Sequence, residues 1–240
     1  MVTTQRLKEV CASLSHFNES IMDNMFPQEF PERLFITGID TDAGKSYATG
    51  WLAKSMMERG MSVVTQKFVQ TGNQEFSEDI QLHRRITGQG ALDVDLRHLT
   101  APIIFTYPAS PELAARIDGR EIDFDVITGA TETLLTQYDH VLIEGAGGLM
   151  VPLKDEYLTI DYIRDHNLPV VLVTNSTLGS INHTLLSLNA IKDYGLRLFA
   201  VIYNHHFDTE KPIADDTCDY TRRWLKGHFP DAYFLEMGTI

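Results

Sequence analysis

Little in this 240-residue chain is of the kind that staples or anchors a protein. Its two cysteines, Cys11 and Cys218, belong to no paired spacing, so the sequence offers neither a disulfide framework nor a zinc pattern, and a reducing compartment is expected. No run approaches the ~20 apolar residues that a membrane-spanning helix needs, and the N-terminus lacks the basic-then-apolar order of a signal peptide. The expectation is a cytoplasmic protein that meets no membrane. Positive charge is also scarce: 20 Lys plus Arg face 33 Asp plus Glu, a net charge of −13. That balance argues against a protein whose task is to neutralise nucleic-acid phosphates, and any anion it binds must be held locally. Internal repeats and low-complexity tracts are absent. At 43% hydrophobic and 22% charged residues, the composition excludes collagen-like, coiled-coil and disordered classes, and the length is enough for one large core.

What is present is an alternation of strands and helices. Arg33–Gly38 is a short apolar run ending in glycine, which predicts a buried strand. A helix follows from Ser46 to Gly60, with Tyr47, Trp51, Leu52, Ser55 and Met56 at helical spacing and Gly60 as its stop. Met61–Lys67 reads as a second strand. Helices are expected over Glu78–Ile86, Phe124–Gln137 and Ile181–Tyr194, and strands over His140–Glu144, Leu168–Thr174 and Leu198–Tyr203. The last two are continuous apolar runs, as in strands covered on both faces of a parallel sheet. The fold class expected is therefore α/β: a doubly wound, mostly parallel sheet flanked by helices, with ligands at the carboxyl ends of its strands. Residues 33–240 are expected to form a single domain. Residues 1–32 read as an appended or packing segment, with a helix over Gln5–Met25 that shows no chemical signal.

The strongest chemical signal is Gly38-Ile39-Asp40-Thr41-Asp42-Ala43-Gly44-Lys45-Ser46, which joins the first strand to the first helix. In such a loop the backbone N–H groups and the helix dipole hold an anion, the lysine reaches the β- and γ-phosphates and the hydroxyl binds Mg²⁺. Five residues, rather than the usual four, separate Gly38 from Gly44. Lys67 ends the second strand, where the topology could bring it to the same sheet edge. Asp79 begins a helix and reads on position alone as a dipole partner or cap. Glu144 ends an apolar strand and meets Gly145-Ala146-Gly147-Gly148, from where its carboxylate could hold Mg²⁺ or its waters opposite Ser46. Asn204 ends a strand, where an amide could read an adenine edge or simply form a turn. His183, His205 and His206 lack metal-ligand spacing and are expected to be structural or surface residues.

Together the glycine loop, Lys67-Phe68-Val69-Gln70-Thr71-Gly72, Glu144-Gly145-Ala146-Gly147-Gly148 and Leu178-Gly179-Ser180-Ile181-Asn182-His183 resemble the dethiobiotin synthetases, in order from about Arg33 to the C-terminus. The five-residue spacing is that family's own variant of the phosphate loop. The resemblance implies a P-loop NTPase-like fold and an ATP- and Mg²⁺-dependent ligase of biotin synthesis that does not use biotin as a cofactor. Such an enzyme carboxylates 7,8-diaminononanoate with CO2, through a carbamate and a carbamic-phosphoric anhydride, and then closes the ring. By motif match, Asp42, Ala43, Gly44, Lys45, Ser46 and Tyr47 would bind the nucleotide, with Glu144 and Asn204 completing its site. Ser46, Asp79 and Glu144 would surround the metal. Lys45, Lys67 and Thr41 would be catalytic, and Thr71 and Gly147 would join Thr41 and Lys67 in holding substrate. The family binds the substrate's distant carboxylate at a helix N-terminus of the other subunit of a homodimer, which corresponds here to Ser180, Ile181 and Asn182.

Ile39 stands where the family has threonine, Asp42 where it has glutamate, Phe68 where it has proline and Thr71 where it has serine. None of these departures removes a charge from the phosphate chemistry. Leu235-Glu236-Met237-Gly238 lacks the family's proline near the base. An alternative with the same sheet and loop is a nucleotide-dependent partition switch. Those switches carry a second lysine early in the loop; the position five before Lys45 is Asp40, whose charge would repel a γ-phosphate.

Overall fold

The computed structural model describes residues 26–240. The helix expected over Gln5–Met25 lies outside the described residues. The continuous apolar runs form the centre of a six-stranded sheet in the order β10-β9-β8-β1-β5-β2. Its strands are β1 (Arg33–Gly38), β2 (Val63–Lys67), β5 (His140–Glu144), β8 (Val170–Asn175), β9 (Leu198–Asn204) and β10 (Tyr233–Met237), and every pairing is parallel. Side chains alternate faces along a strand, so a wholly apolar strand needs cover on both sides. In β1, Leu34 and Ile36 enter one core, while Phe35 enters the other.

The first of these cores is closed by α1 (Lys45–Glu58), through Ala48, Leu52 and Met56. Phe26, on the extension side of the expected boundary, also joins it, 6.4 Å from the Trp51 ring in an edge-on contact. The opposite core takes Ile127 and Leu134 of α5 (Phe124–Leu135), Ile160 and Ile163 of α6 (Thr159–Asp165) and Leu188 and Ile191 of α7 (Ser180–Asp193). Leu225 of α8 (Lys211–His228) packs there as well. Between β2 and β5 the chain also forms α2 (Glu78–Thr87), α3 (Asp93–Leu96) and α4 (Pro111–Ile117), together with a two-stranded pairing of β3 (Gln70–Thr71) and β4 (Ile104–Phe105). A short antiparallel hairpin, β6 (Pro152–Lys154) and β7 (Tyr157–Leu158), follows the glycine loop after β5. Among the described residues, no helix is long and apolar enough to cross a membrane.

Three details of this fold place the chemistry. β1 lies between β5 and β8, so the loop after it opens at the carboxyl edge of the sheet, where the crossovers diverge. In the β2–β5 pairing Lys67 is directly opposite Glu144. Finally, α1 and α2 meet at Gly50, where a Cβ would come within 2.7 Å of the Ile86 side chain, and this close approach brings α2 against the sheet edge. The α1 pattern differs from the expected one in one respect: Tyr47 is half exposed, while Leu52, Ser55 and Met56 of the same stripe are buried together with the small residues Ala48, Thr49, Gly50 and Ala53.

Candidate active site

The loop between β1 and α1 is shaped by Gly44, which caps the helix with φ 87°, a left-handed conformation that favours glycine. No acidic residue occupies the first turn of α1, so its N-terminal N–H groups and dipole are free of an internal anion. The Lys45 ammonium donates to the backbone carbonyls of Asp40 and Thr41, both at 2.9 Å, and so folds the loop around its own charge. Burial, with a further push from the neighbouring Lys67, lowers its pKa from 10.5 to about 8. Asp40, where a partition switch would carry lysine, turns its side chain to its own loop and accepts from the Thr41 N–H.

Immediately behind the loop lies a cluster built from four elements. Ser46, in the first turn of α1, places Oγ 2.8 Å from Asp79 Oδ1 and 2.8 Å from Glu144 Oε1. Lys67, at the end of β2, reaches Glu144 Oε1 at 2.7 Å, Asp79 Oδ2 at 2.6 Å and the Gly145 carbonyl at 3.2 Å. His83 of α2 lies 2.7 Å from the other Glu144 oxygen, Oε2. Glu144 and His83 are wholly buried, and Lys67 nearly so. Burial opposes ionisation on both sides of the central pair. It is outweighed at Glu144 by Lys67 and His83, which hold the carboxyl well below its usual range, and at Lys67 by Glu144 and Asp79, which raise the ammonium. The capping role that position alone suggested for Asp79 falls to Ser77, whose hydroxyl accepts from the Ile80 N–H; this leaves Asp79 free to face Lys67 and Ser46.

A cavity of about 430 Å³ opens over this cluster. Thr41, Asp42, Gly44, Lys45, Ser46, Tyr47 and Asp79 line it together with Asn204, His206, Phe207, Met237, Gly238 and Ile240. The sequence-predicted phosphate residues and the predicted base residue thus share one space. Ala43 is fully buried beneath it, and its carbonyl accepts from Asn204 Nδ2 at 3.4 Å, while Asn204 Oδ1 accepts from the His206 N–H. Asn204 therefore both reaches the loop and forms a turn. Gly147 lies beside Thr41, 3.9 Å from the Thr41 hydroxyl measured from where its Cβ would be, so the glycine loop after β5 adjoins the phosphate loop.

Two groups of expected site residues lie elsewhere. Thr71 pairs with Phe105 in the small sheet and neither lines the cavity nor touches the Lys67 cluster. Ser180, Ile181 and Asn182 begin α7 and do not line the cavity. Ser180 and Ile181 border a separate groove with Leu178, Pro212 and Ile213. Ser180 Oγ is buried without a partner, its backbone N–H already bonds Thr177, and Asn182 is exposed. Leu178, just before this helix, is 93% exposed.

The residue that sequence reasoning missed is His83. Its signal was available: it stands four positions after Asp79, on the same face of α2. The other histidines fall largely as expected. His205 bridges Asp208 at 2.7 Å and Glu236 at 3.0 Å. Cys218 Sγ lies 3.6 Å from Glu236, which completes the only His/Cys/carboxylate grouping of metal-binding dimensions among the described residues. There the Arg222 guanidinium, 2.7 Å from Glu236 and 3.6 Å from Cys218, already supplies the cation. His206, expected to be structural or at the surface, is exposed and also borders the nucleotide-sized cavity.

Residues 32–231 match the AAA domain family. Over 206 residues the chain is 47% identical to the ATP-dependent dethiobiotin synthetase BioD 2 of Pasteurella multocida, covering 86% of this chain and 97% of that protein. Over 207 residues it is 46% identical to the ATP-dependent dethiobiotin synthetase BioD of Chlorobaculum tepidum, covering 86% and 87%. Among solved structures, chloroplast FtsY from Physcomitrella patens superposes with a TM-score of 0.51 at 16% identity, over 86% of this chain and 58% of that one. A Borrelia burgdorferi structure described as a plasmid partition protein bound to AMPPNP gives 0.50 at 13% identity, over 87% and 86%. At such low identity these two structures speak for the mostly parallel, P-loop NTPase fold alone. The sequence relatives carry more, since the likeness runs through almost their whole length, and on it the chain belongs to the ATP-dependent dethiobiotin synthetase family.

Proposed function

We propose that this chain catalyses the ATP-dependent carboxylation and ring closure of 7,8-diaminononanoate to dethiobiotin, releasing ADP and phosphate. The observation that carries this reading is the convergence of Ser46, Lys67, Asp79 and Glu144 directly behind the phosphate loop, in a chain of this family. A nucleotide binder needs only the loop; a second buried lysine beside it suits chemistry on a second anion.

In the reaction, a substrate amine attacks CO2, forming a C–N bond and losing a proton to give a carbamate. A carbamate oxygen then attacks the γ-phosphorus and the bond to ADP breaks. The second amine attacks the carbonyl carbon of the anhydride, phosphate leaves and a proton is lost. Carbamate and triphosphate repel each other, so the in-line approach requires fixed positive charge. Lys45 holds the phosphates from within the loop. Lys67, at the adjacent edge, stabilises the carbamate and then the anhydride, while Thr41 and Gly147 contact substrate or phosphate oxygens. The Ser46, Asp79 and Glu144 oxygens, with Ser46 Oγ within 2.8 Å of both carboxylates, form a hard-oxygen set of the kind that Mg²⁺ selects. They would hold the ion, whose contribution is to neutralise phosphate charge. Asp42 to Tyr47 and Asn204 surround the rest of the nucleotide.

The substrate's distant carboxylate is assigned to the N-terminus of α7 in a second copy of the chain. Leu178, exposed beside that helix start, is assigned to the contact of a homodimer there. Residues 33–240 constitute the synthetase domain and 1–32 an extension, part of which packs on it through Phe26 and Phe30. The consumption of ATP suits a cytoplasmic location.

Phosphate release from MgATP and bicarbonate, measured with and without 7,8-diaminononanoate and followed by mass analysis of the product, tests the reading. The expected result is diamine-dependent release and a product heavier by one carbonyl, less the two hydrogens lost on ring closure. Hydrolysis indifferent to the diamine but responsive to a macromolecule would favour a partition-type switch.

A further inference from the structure

We infer that His83 is a positioning residue that fixes which oxygen of Glu144 faces the reaction site, and thereby sets the site's preference for Mg²⁺ over larger divalent cations. The inference rests on the reading of Ser46, Asp79 and Glu144 as metal-holding residues given above.

Glu144 is fully buried and its two oxygens have separate duties. Oε1 faces Ser46 Oγ at 2.8 Å and Lys67 Nζ at 2.7 Å, while Oε2 faces only His83 Nε2, at 2.7 Å. A carboxylate oxygen at that distance is an acceptor, so Nε2 carries the proton. The opposite ring nitrogen, Nδ1, has no partner among the described residues. A histidine serving to tie elements together would use both nitrogens; this one spends its hydrogen bonding on Glu144 alone. It also shares a face of α2 with Asp79, so one helix delivers a carboxylate to the site and the donor that orients the other carboxylate. Outer hydrogen bonds of this sort commonly orient the groups that hold a metal.

The chemical consequence lies in ion choice. Mg²⁺ is small and binds through few carboxylate oxygens, whereas Ca²⁺ accepts carboxylates through both oxygens and tolerates irregular surroundings. With Oε2 held by His83, Glu144 has one oxygen to give. Released from His83, it could turn both toward a cation, a change that favours the larger ion.

Mn²⁺ binding to the ADP-saturated protein, read from the electron paramagnetic resonance signal of free Mn²⁺ and competed with Mg²⁺ or Ca²⁺, measures that preference without turnover. The expected result is that His83→Leu lowers the Mg²⁺-to-Ca²⁺ affinity ratio at least fivefold, and that His83→Gln, which restores an N–H donor, returns it to within twofold of wild type. A ratio unchanged in His83→Leu, or a glutamine variant that behaves like leucine, would overturn the inference. Nitrogen NMR of histidine-labelled wild-type protein supplies a check that needs no variant: a protonated Nε2 at His83 is expected, and a bare Nε2 refutes the arrangement. Should wild-type protein fail to bind Mn²⁺ beyond what ADP binds alone, the metal reading itself falls, an outcome distinct from the failure of His83.

Discussion

Substituting Gly44 by alanine tests the loop geometry most directly. At φ 87° an alanine pays the left-handed penalty, about 1–2 kcal/mol. Its Cβ would also be driven onto the Asn204 amide nitrogen, with Asn204 Cγ and the Phe207 ring each 3.5 Å away. Overfilling of that kind costs roughly 1–3 kcal/mol, so Gly44→Ala should destabilise by about 2–5 kcal/mol in all. Gly60 is the internal control. It has nearly the same conformation, φ 81°, but nothing lies within 4 Å of its would-be Cβ, so Gly60→Ala should show only the backbone part. Urea unfolding of both variants, at constant m-value, gives the difference. The double variant Gly44→Ala/Asn204→Ala should recover most of the excess, a coupling of about 1–3 kcal/mol, while ATP affinity falls in each variant that moves Asn204. If the Gly44 and Gly60 variants unfold within ~0.5 kcal/mol of each other, or if removing Asn204 rescues nothing, the tight apposition of loop and β9 is wrong.

Lys67→Ala should leave ATP affinity within a few-fold of wild type yet lower diamine-dependent phosphate release by about 10²–10³, whereas Lys45→Ala weakens both; turnover of the Lys67 variant near wild type would remove its assigned role. The depressed Lys45 pKa predicts proton linkage. With a free-state pKa of about 8, Lys45 is only about one quarter protonated at pH 8.5. A triphosphate beside it raises that pKa, so ATP binding should take up to about three quarters of a proton at pH 8.5 and nearly none at pH 7. Calorimetry in buffers of different ionisation enthalpy reads this uptake, which should vanish in Lys45→Met. Leu178→Glu should shift sedimentation from dimer to monomer and raise the KM for the diamine while sparing ATP binding; an unchanged sedimentation profile would detach the α7 N-terminus from the interface.

Much of this was legible because the relevant signals are local. Continuous apolar runs become β8 and β9 since a parallel sheet buries both of their faces, and a glycine-lysine-serine turn between strand and helix has few other uses. The helix α8 was not read. Its Lys211–His228 stretch is largely charged and polar, and only Ala214, Thr217, Cys218, Thr221 and Leu225 are buried. The edge strand β10 escaped notice for a similar reason: Tyr233-Phe234-Leu235-Glu236-Met237 carries a glutamate that makes sense only once Arg222 and His205 lie beside it. At the site, the motif residues that folding brings together could be named from the sequence and His83 could not, because a single histidine acquires meaning only from the carboxylate that folding places 2.7 Å away. Tyr47, placed by periodicity in the same helical stripe as Leu52 and Met56, is half exposed and lines the cavity, while those two are buried.

The cross-strand position of Lys67 and Glu144 has a bearing on how the sheet assembles. β2 is an edge strand of five residues, attached to the sheet only through β5, and in a parallel pair a slip of one residue would turn every side chain to the opposite face. A slipped β2 would leave the Glu144 carboxylate buried without its lysine, a loss of about 3–5 kcal/mol, whereas apolar Val63 and Val64 alone would discriminate far less between alignments. Lys67, assigned to catalysis, and Glu144, assigned to the metal, thus also fix the register of this edge strand, so that a molecule whose sheet is correctly paired is one whose reaction site is already aligned.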